Sequence, residues 1–462
     1  MTKKQSTVSR REFLSNAAII GASGTLGAGG LFTACTGGNS NGTKYTPLRP
    51  ASEVYIPELP DKAMDGKPVR AGLIGCGGRG TGAAFNLLEA ANGVSIVAVS
   101  DVFQEKVDGC RKRLKEEKNI DIPDDRCFMG FDAYKKVCEL PDVDLVLIAS
   151  PGLFHPDHLK YAIDKGKHAF CEKPAAVDPV GYRTFMSAVK QAQAKDLCIV
   201  TGTMLHYSRA YVESYKKIQE GYIGRITSGN VYCAGGHSHY IQRRPEWTDM
   251  DYMIRDHFSW AWLSGDILVD QLVHYIDVFT WFTHKKPVWV FGTGARIRKC
   301  TGNIYDSFSI DFEYEGGVHA HGIERQINNC DGISGVSIQG TKGKWNGIDG
   351  KPVNIVDLDG NIVWAYDDKA AKEQFKQHSG YTLEHVDLVN HIRSGKVINY
   401  AETTAISTMA CIMALESAYT GKFITWDAMT QSDKNYMPDA FTTELINLEK
   451  YKDIPLPGTV YK

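Results

Sequence analysis

The sequence lacks the features that identify several large classes of protein. Neither sign of charge dominates, since 52 basic residues face 54 acidic ones and the net charge is −2. The composition therefore indicates neither nucleic acid nor an anionic membrane surface as a partner. None of the eleven cysteines forms a C-x-x-C pair, and the chain is 462 residues long. We therefore predict no metal site and no disulfide framework.

The N-terminal segment has no uninterrupted apolar run of the length that a membrane span needs. Ser9–Leu14 reads SRREFL and precedes a stretch rich in glycine, alanine and serine. This pattern resembles a twin-arginine export signal. The stretch ends in Leu-Phe-Thr-Ala-Cys, which resembles a lipoprotein cleavage site with Cys35 as the lipidated residue; the alternatives are an uncleaved signal or plain secretion. We expect a signal at 1–35, a linker at 36–67, and a periplasmic or membrane-anchored location.

Between residues 68 and 205, short apolar runs alternate with amphipathic segments. The apolar runs predict strands at 69–74, 95–100, 145–149, 168–171 and 197–201. The amphipathic segments predict helices at 80–91, 104–117, 156–165 and 179–194. Such alternation predicts an α/β domain, 68–205, with a doubly wound parallel sheet.

After about residue 205 the pattern changes. Ser307–Tyr314 alternates apolar and polar side chains, which is typical of a half-buried strand in an open sheet. Further strands are predicted at 226–234, 288–296, 318–322, 336–339 and 353–356. We therefore expect a second, α+β domain, 206–431, with a large, mostly antiparallel sheet covered by helices on one face, and an irregular tail, 432–462.

A glycine-rich motif follows the first predicted strand and opens the first helix. It reads Gly75-Cys76-Gly77-Gly78-Arg79-Gly80. An acid, Asp101, ends the next strand, and together these features predict a dinucleotide site. Gly75 permits the tight turn, Gly77 lets backbone N–H groups approach the pyrophosphate, and Gly80 lets the helix pack on the strand. Asp101 would bind ribose hydroxyls and repel a 2′-phosphate, so we expect NAD. The alternative is a glycine turn in another kind of α/β protein.

Two further motifs carry ionisable groups. Glu172-Lys173-Pro174 closes a later strand of the same sheet, where ligands bind, so we expect Lys173 to face the cofactor cleft. Asp270 and His274 lie four residues apart in a helix predicted at 265–277, and therefore share one face. A carboxylate in that position can orient an imidazole and tune its basicity. The alternatives are a solvated lysine and a surface ion pair.

In this order, the motifs resemble the Gfo/Idh/MocA family, named for glucose–fructose oxidoreductase and inositol dehydrogenase. The resemblance covers residues 69–426. It implies a Rossmann domain, a C-terminal open-sheet domain, and hydride transfer at a sugar carbinol. Lys173, Asp270 and His274 match the catalytic set of the family, with His274 as the acid–base group and Lys173 holding the reacting hydroxyl. We also expect a homo-oligomer.

The chain departs from the family pattern in two places. Where many members carry Pro-Asn near the nicotinamide, this chain has Pro151-Gly152 followed by His155. We expect Pro151, His155 and Glu172 to join the glycine motif in the cofactor site. Family members that are NAD-dependent glycoside hydrolases carry Tyr-Pro-Thr-His in the active-site region. In that region this chain has the segment 265–274, which reads GDILVDQLVH, and so does not resemble that subgroup.

Clustered aromatic and basic side chains suggest where a sugar binds. Residues 237–262 include His237, His239, Tyr240, Arg243, Arg244, Trp247, Tyr252, Arg255, His257, Trp260 and Trp262. Flat rings and guanidinium groups suit the faces and hydroxyl edges of sugars. The expected substrate contacts are Tyr207, Arg209, Tyr252, Trp260 and Trp262. The alternative is a structural loop or a subunit interface.

Export would constrain the mechanism, because free NAD belongs to the cytoplasm whereas the twin-arginine route carries folded proteins. A retained cofactor must be regenerated on the enzyme. The cofactor can be regenerated by reaction with two substrates in turn. It can also be regenerated by transient oxidation of one glycoside at C3 followed by elimination. We expect an NAD-dependent oxidoreductase acting on a sugar, glycoside or polyol. The alternatives are a glycoside hydrolase that works by transient oxidation and a non-catalytic, NAD-bound sugar-binding protein.

Overall fold

The computed structural model describes residues 45–236, 240–298, 302–437 and 447–458. The predicted signal with Cys35, and His237 and His239 of the aromatic segment, lie outside the described residues. Within the described ranges, no helix is long and apolar enough to cross a membrane. The nine cysteines in those ranges are free thiols.

Six parallel strands form the first sheet, in the order β3-β2-β1-β4-β5-β6. They are β1 (Val69–Ile74), β2 (Val94–Asp101), β3 (Cys127–Met129), β4 (Leu145–Ile148), β5 (His168–Cys171) and β6 (Ile199–Thr201). The helices between them are α1 (Gly78–Ala90), α2 (Gln104–Lys118), α3 (Ala133–Glu139), α4 (His155–Asp164) and α5 (Pro179–Ala194). The predicted doubly wound parallel sheet is confirmed. Strand order reverses between β1 and β4, which places a crevice at their carboxyl ends.

Nine strands form the second sheet, in the order β14-β13-β12-β11-β7-β10-β9-β8-β15. They are β7 (Ile226–Gly235), β8 (Pro287–Ala295), β9 (Ser307–Tyr314), β10 (Val318–Gln326), β11 (Ile333–Gly340), β12 (Gly343–Ile348), β13 (Asn354–Asp357), β14 (Ile362–Ala365) and β15 (Ile424–Thr425). All neighbouring strands pair antiparallel except β7 and β10. The predicted, mostly antiparallel sheet is confirmed.

Three helices of the second half pack on this sheet, and another packs on the first domain. The helices of this half are α6 (Arg209–Gln219), α7 (Asp249–Arg255), α8 (Ala261–Ser264), α9 (Val273–Thr283), α10 (Asp368–Gln374), α11 (Gly380–Ser394), α12 (Ala401–Thr420) and α13 (Trp426–Thr430). Short 3₁₀ turns lie at Ala51–Glu53, Asp124–Arg126, Gly152–Phe154, Met204–Tyr207, His257–Ser259 and Leu448–Lys450. Helix α11 packs on α1 of the first sheet, and Asn86 there donates to the Thr382 hydroxyl at 3.2 Å.

The helix predicted at 265–277 is interrupted. Helix α8 ends at Gly265, whose φ of 73° suits a helix C-terminus. Asp266 also has a positive φ, 62°, and its carboxylate accepts from the backbone N–H groups of Ile267 and Tyr305 at 2.5 and 2.8 Å. A π-helical turn, Leu268–Leu272, then leads into α9. Such turns are rare and are frequent at functional sites.

Candidate functional site

A cleft of about 540 Å³ lies over the carboxyl ends of the first sheet. The glycine motif, Asp101 and Lys173 line it from the first domain. Asp270 of the π-helical turn lines it from the second, together with Tyr240 and with Arg255 at the end of α7. The cleft is therefore built by both domains. In the part of the chain that the structure describes, no cluster of histidine, cysteine, aspartate and glutamate side chains could hold a metal ion.

The glycine motif has the shape that a pyrophosphate needs. Gly75 has a φ of 94°, and a Cβ there would lie 2.6 Å from the Ala149 carbonyl oxygen. A Cβ on Gly80 would lie 1.8 Å from the Gly75 carbonyl oxygen, so helix and strand pack in direct contact. Above Gly77 and Gly78 there is open space, and helix α1 begins at Gly78. An anion placed there meets unpaired N–H groups and the positive end of the helix. The residues present therefore fit a dinucleotide.

Asp101 lies at the end of β2, and its carboxylate also orders the glycine loop. It accepts from the backbone N–H of Cys76 at 2.7 Å and from that of Phe103 at 3.0 Å. Burial raises its pKa above the ordinary value, while these N–H groups act in the opposite direction. Each carboxylate oxygen keeps a further lone pair for a ribose hydroxyl. Asp101 can therefore select the ribose and hold the loop at the same time.

Replacing Asp101 by serine should weaken the preference for NAD over NADP, because the carboxylate that repels a 2′-phosphate is removed. We also expect weaker binding of NAD itself, since the loop loses two hydrogen bonds. The measurement is the ratio of the two dissociation constants. Asp108→Ser, on the exposed side of α2, is the control. Equal affinity of the wild-type protein for NAD and NADP would contradict this role.

Arg79 and Glu172, both predicted in the cofactor site, form an ion pair at one end of the cleft. The Arg79 Nε lies 2.7 Å from a Glu172 carboxylate oxygen, and the guanidinium covers the Tyr381 ring at 4.8 Å. Glu384 lies fully buried close by, and burial, followed by repulsion from Glu172, raises its pKa well above the ordinary value. The Arg79 side chain therefore packs against α11 and fixes the loop from which it projects.

Pro151 lines the cleft, whereas His155 supports it from behind. The His155 side chain is buried, with Nδ1 2.7 Å from the Pro174 carbonyl oxygen and Nε2 2.7 Å from that of Ser150. It thus joins the loop after β4 to the loop after β5. The structure places His155 as a positioning residue, because both ring nitrogens are occupied by backbone. These two loops carry Pro151 and Lys173 into the cleft.

Lys173 and Asp270 meet where the two domains face each other. The Lys173 Nζ donates to the Asp270 backbone carbonyl and lies 3.3 Å from its carboxylate Oδ1. The side chains are 14% and 12% exposed. A largely buried pair of this kind interacts more strongly than one on the surface. An ammonium has three N–H groups, so Lys173 keeps one for a ligand.

His274 is the second residue of α9, two residues after the end of the π-helical turn. Burial, and after it the positive charge of Lys173, hold its pKa well below the ordinary value of 6.5. Its ring is therefore neutral near pH 7. No hydrogen bond joins it to Asp270, whose carboxylate is engaged by Lys173 and by the Gln271 amide. Lys173 and Asp270 thus line the cleft, whereas His274 does not; His274 lies close enough to Lys173 for the ammonium to add to the effect of burial on the ring.

The structure places the five predicted sugar contacts away from the cleft wall. Tyr207 is fully buried in the core. The Arg209 guanidinium donates to the Leu59 and Gln377 carbonyl oxygens at 2.7 and 3.0 Å, so it ties segments of chain together. Tyr252, Trp260 and Trp262 belong to one buried cluster. Burying aromatic rings stabilises a small core strongly, and here that is their role.

Glu324 is an ionisable residue that the sequence analysis does not identify. It lies on β10 in register with Cys233 of β7, on the sheet face under the π-helical turn. It is fully buried, and burial raises its pKa well above the ordinary value, with Asp266 and Asp270 nearby. Val318, Ala320, Gly322 and Gln326 are the other buried positions of the strand. A charged residue at an inward position of a predicted strand is the signal that could have identified it.

Two family profiles match the chain. One, described as "oxidoreductase family, NAD-binding Rossmann fold", matches residues 69–203, and the other, the Gfo/Idh/MocA C-terminal domain, matches residues 211–346. The glycosyl hydrolase family 109 protein 1 of Bacteroides fragilis is 37% identical over 132 residues, 28% of this chain and 27% of that protein. The inositol 2-dehydrogenase/D-chiro-inositol 3-dehydrogenase of Halalkalibacterium halodurans is 30% identical over 213 residues, 46% of this chain and 52% of that protein. The chain thus spans about a quarter and about half of the length of these relatives.

Solved structures share the fold over most of the chain. The scyllo-inositol dehydrogenase of Lactobacillus casei, crystallised with NAD(H) and scyllo-inositol, superposes with a TM-score of 0.58 at 21% identity, over 78% of this chain and 99% of that one. The aldose-aldose oxidoreductase of Caulobacter crescentus gives 0.59 at 17% identity, over the same shares. The first domain is an NAD-binding Rossmann domain. With both profiles together covering more than half of its length, the chain belongs to the Gfo/Idh/MocA family.

Proposed function

We propose that the protein is an NAD-dependent oxidoreductase of a sugar, glycoside or polyol, and that its cofactor stays bound and is regenerated on the enzyme. The observation that carries the proposal is the position of the Lys173–Asp270 pair. It lies in the same cleft as the glycine motif and Asp101, which fit the dinucleotide. An ammonium in the cleft and a neutral imidazole close to that ammonium are the groups that carbinol oxidation requires.

Bound NAD supplies the chemistry of accepting a hydride from the carbinol carbon. The hydroxyl proton must leave at the same time, and the neutral His274 ring can accept it. The free N–H of Lys173 can stabilise the negative charge that develops on the oxygen. Asp270 holds Lys173 in place through its backbone carbonyl and its carboxylate. Net turnover then requires the reduced cofactor to return the hydride to a second carbonyl compound or to the oxidised sugar itself.

Glycoside hydrolysis is the second candidate, and the match to glycosyl hydrolase family 109 proteins favours it. Oxidation at C3 makes the C2 proton acidic, a base removes it, and the aglycone leaves C1 with the electron pair. Water then adds to the double bond, and reduction of the ketone at C3 restores the sugar. If His274 passes the hydroxyl proton to water, its neutral ring can also accept the C2 proton, and Lys173 can stabilise the negative charge on the C3 oxygen, so the residues that support oxidation also support this route.

Product analysis separates the candidates. The protein is purified without added cofactor, and its bound nucleotide is identified by mass spectrometry. It is then incubated with a panel of sugars, polyols and aryl glycosides. Release of aglycone without an added acceptor indicates the hydrolase, whereas oxidised product formed together with a reduced acceptor indicates the oxidoreductase. Bound NAD with neither product across the panel would contradict both and favour a sugar-binding protein.

We also propose that the protein is exported by the twin-arginine route and anchored through Cys35. Changing Arg10 and Arg11 to lysine should keep the precursor in the cytoplasm, because this route reads the arginine pair. Changing Cys35 to alanine should move the protein from the membrane fraction to the soluble one. Cell fractionation measures both effects. Unchanged membrane attachment of the Cys35 variant would contradict the anchor but not the export.

A further inference from the structure

Residues 240–259, which we call the cap, lie across the cofactor cleft from the Rossmann domain. The cap belongs to the second domain and contains α7 and the turn at His257–Ser259. Seven of its residues line the same cleft as the glycine motif: Tyr240, Ile241, Ile254, Arg255, Asp256, His257 and Phe258. Of the aromatic and basic residues of the predicted sugar-binding segment, Tyr240, Arg255 and His257 thus face the dinucleotide site.

Arg255 joins the cap to the adenosine end of the cleft. Its guanidinium carbon lies 3.6 Å from the centre of the Phe103 ring, and its Nη1 pairs with the Glu105 carboxylate. Phe103 donates its backbone N–H to Asp101, the acid positioned for the ribose. Only 14% of the Arg255 side chain is exposed. Because the Glu105 side chain is 57% exposed, we expect the contact of the guanidinium with the Phe103 ring to contribute more than the ion pair.

The cap is joined to the nicotinamide end by apolar packing. Leu153, which follows Pro151 and Gly152 in the loop after β4, belongs to the same buried cluster as Met250 and Met253 of α7. Phe131 and Phe154, both in the cleft wall, pack against that cluster. The cap also has its own internal contacts. Thr248 and Asp251 form a reciprocal capping box at the start of α7.

A hydrogen bond within the cap holds its cleft-facing loop. The Ile241 backbone N–H donates to the Asp256 carboxylate at 2.9 Å. Tyr240 and Ile241 are thereby fixed against α7, beside the cleft that they line. The cap is therefore a small folded unit that contacts the Rossmann domain at both ends of the dinucleotide site.

We propose that the cap closes over the bound dinucleotide and retains it, with the Arg255 contact to Phe103 and Glu105 as the fastening at the adenosine end. The inference rests on the proposed function, in which the cofactor is regenerated without leaving. A dinucleotide under the cap leaves only when this contact opens. Weakening the contact should therefore raise the rate of cofactor exchange, whatever the substrate of the enzyme.

Exchange of the bound nucleotide tests the cap directly. Each protein is purified without added cofactor, its NAD content is measured, and it is incubated with excess isotopically labelled NAD. Arg255→Ala should exchange its nucleotide at least about tenfold faster than the wild type and retain less of it on purification. Glu105→Gln, which removes the partner from the Rossmann side, should shift the rate in the same direction and provides a second test if Arg255→Ala does not fold.

Arg243→Ala is the matched control. Arg243 lies in the same cap, but it pairs with Asp249 and donates to the Trp247 carbonyl, both within the cap. Its exchange rate should equal that of the wild type. Wild-type exchange rates in both Arg255→Ala and Glu105→Gln would contradict the proposal that the cap retains the cofactor. Rapid exchange in the wild type would contradict it as well. Slow exchange in a protein that transforms no sugar would instead contradict the proposed function and leave the cap in place.

Discussion

Replacing Lys173 by methionine should lower turnover by a factor on the order of 10²–10⁴, while the protein still binds NAD. Methionine replaces the alkyl stem of lysine by an unbranched apolar chain of equal length but removes the ammonium. The negative charge on the reacting oxygen then has no partner, and Asp270 loses the cation that faces its carboxylate at 3.3 Å. The measurement is turnover on the best substrate of the panel, together with nucleotide content.

Lys160→Met provides the matched control for this variant. Lys160 pairs with Asp164 one turn away on the exposed side of α4 and does not line the cleft. Its loss should leave turnover unchanged, since exposed pairs of this kind contribute little. A thermal melt of both variants separates a folding defect from a catalytic one. Turnover of a folded Lys173→Met protein within about twofold of wild type would contradict the role of the ammonium.

Replacing His274 by glutamine should also lower turnover by a factor on the order of 10²–10⁴, because the proton acceptor is lost while a polar side chain of similar size remains. His321→Gln is the control, since His321 is exposed on β10. Near-wild-type turnover of a folded His274→Gln protein, with its NAD retained, would show that another group takes the proton.

The pH dependence of turnover gives a second view of His274. Its pKa lies well below 6.5, and the base must be neutral to accept a proton. Activity of the wild type should therefore persist as the pH falls through 6.5, and should be lost only at lower pH. Lys173 is one of the two causes of the lowered pKa, so the residual activity of Lys173→Met should fall at a higher pH than that of the wild type. An acid limb centred near 6.5 in the wild type would contradict this.

The cofactor half of the protein could be predicted from the sequence because its signals are local. Apolar runs such as 145–148 form fully buried strands, and the roles of Gly75 and Gly80 follow from contacts within one strand–turn–helix unit. The sequence does not predict the short strand β3 or helix α3. Strand β3 has only three residues, which are only partly buried and give no periodic pattern.

The substrate half could be predicted less well, because its contacts join distant parts of the chain. Spacing alone pairs Asp270 with His274, but Lys173 lies 97 residues from Asp270 in sequence and takes its carboxylate instead. Composition alone assigns Trp260 and Trp262 to a sugar, although they are buried. Only the fold shows that Arg255, in the same aromatic segment, reaches Phe103 of the Rossmann domain.

Reduction of the retained cofactor by a bound sugar is the central claim, and absorbance of reduced nicotinamide in a single turnover tests it most directly. The protein is purified without added NAD and mixed with each sugar, glycoside and polyol of the panel. The account predicts that at least one of them produces the reduced-nicotinamide signal in the wild type, up to the amount of bound NAD, and that Lys173→Met does not produce it on the same time scale. A protein that carries NAD and yields no signal with any compound, or yields it only when free NAD is supplied, would contradict the account.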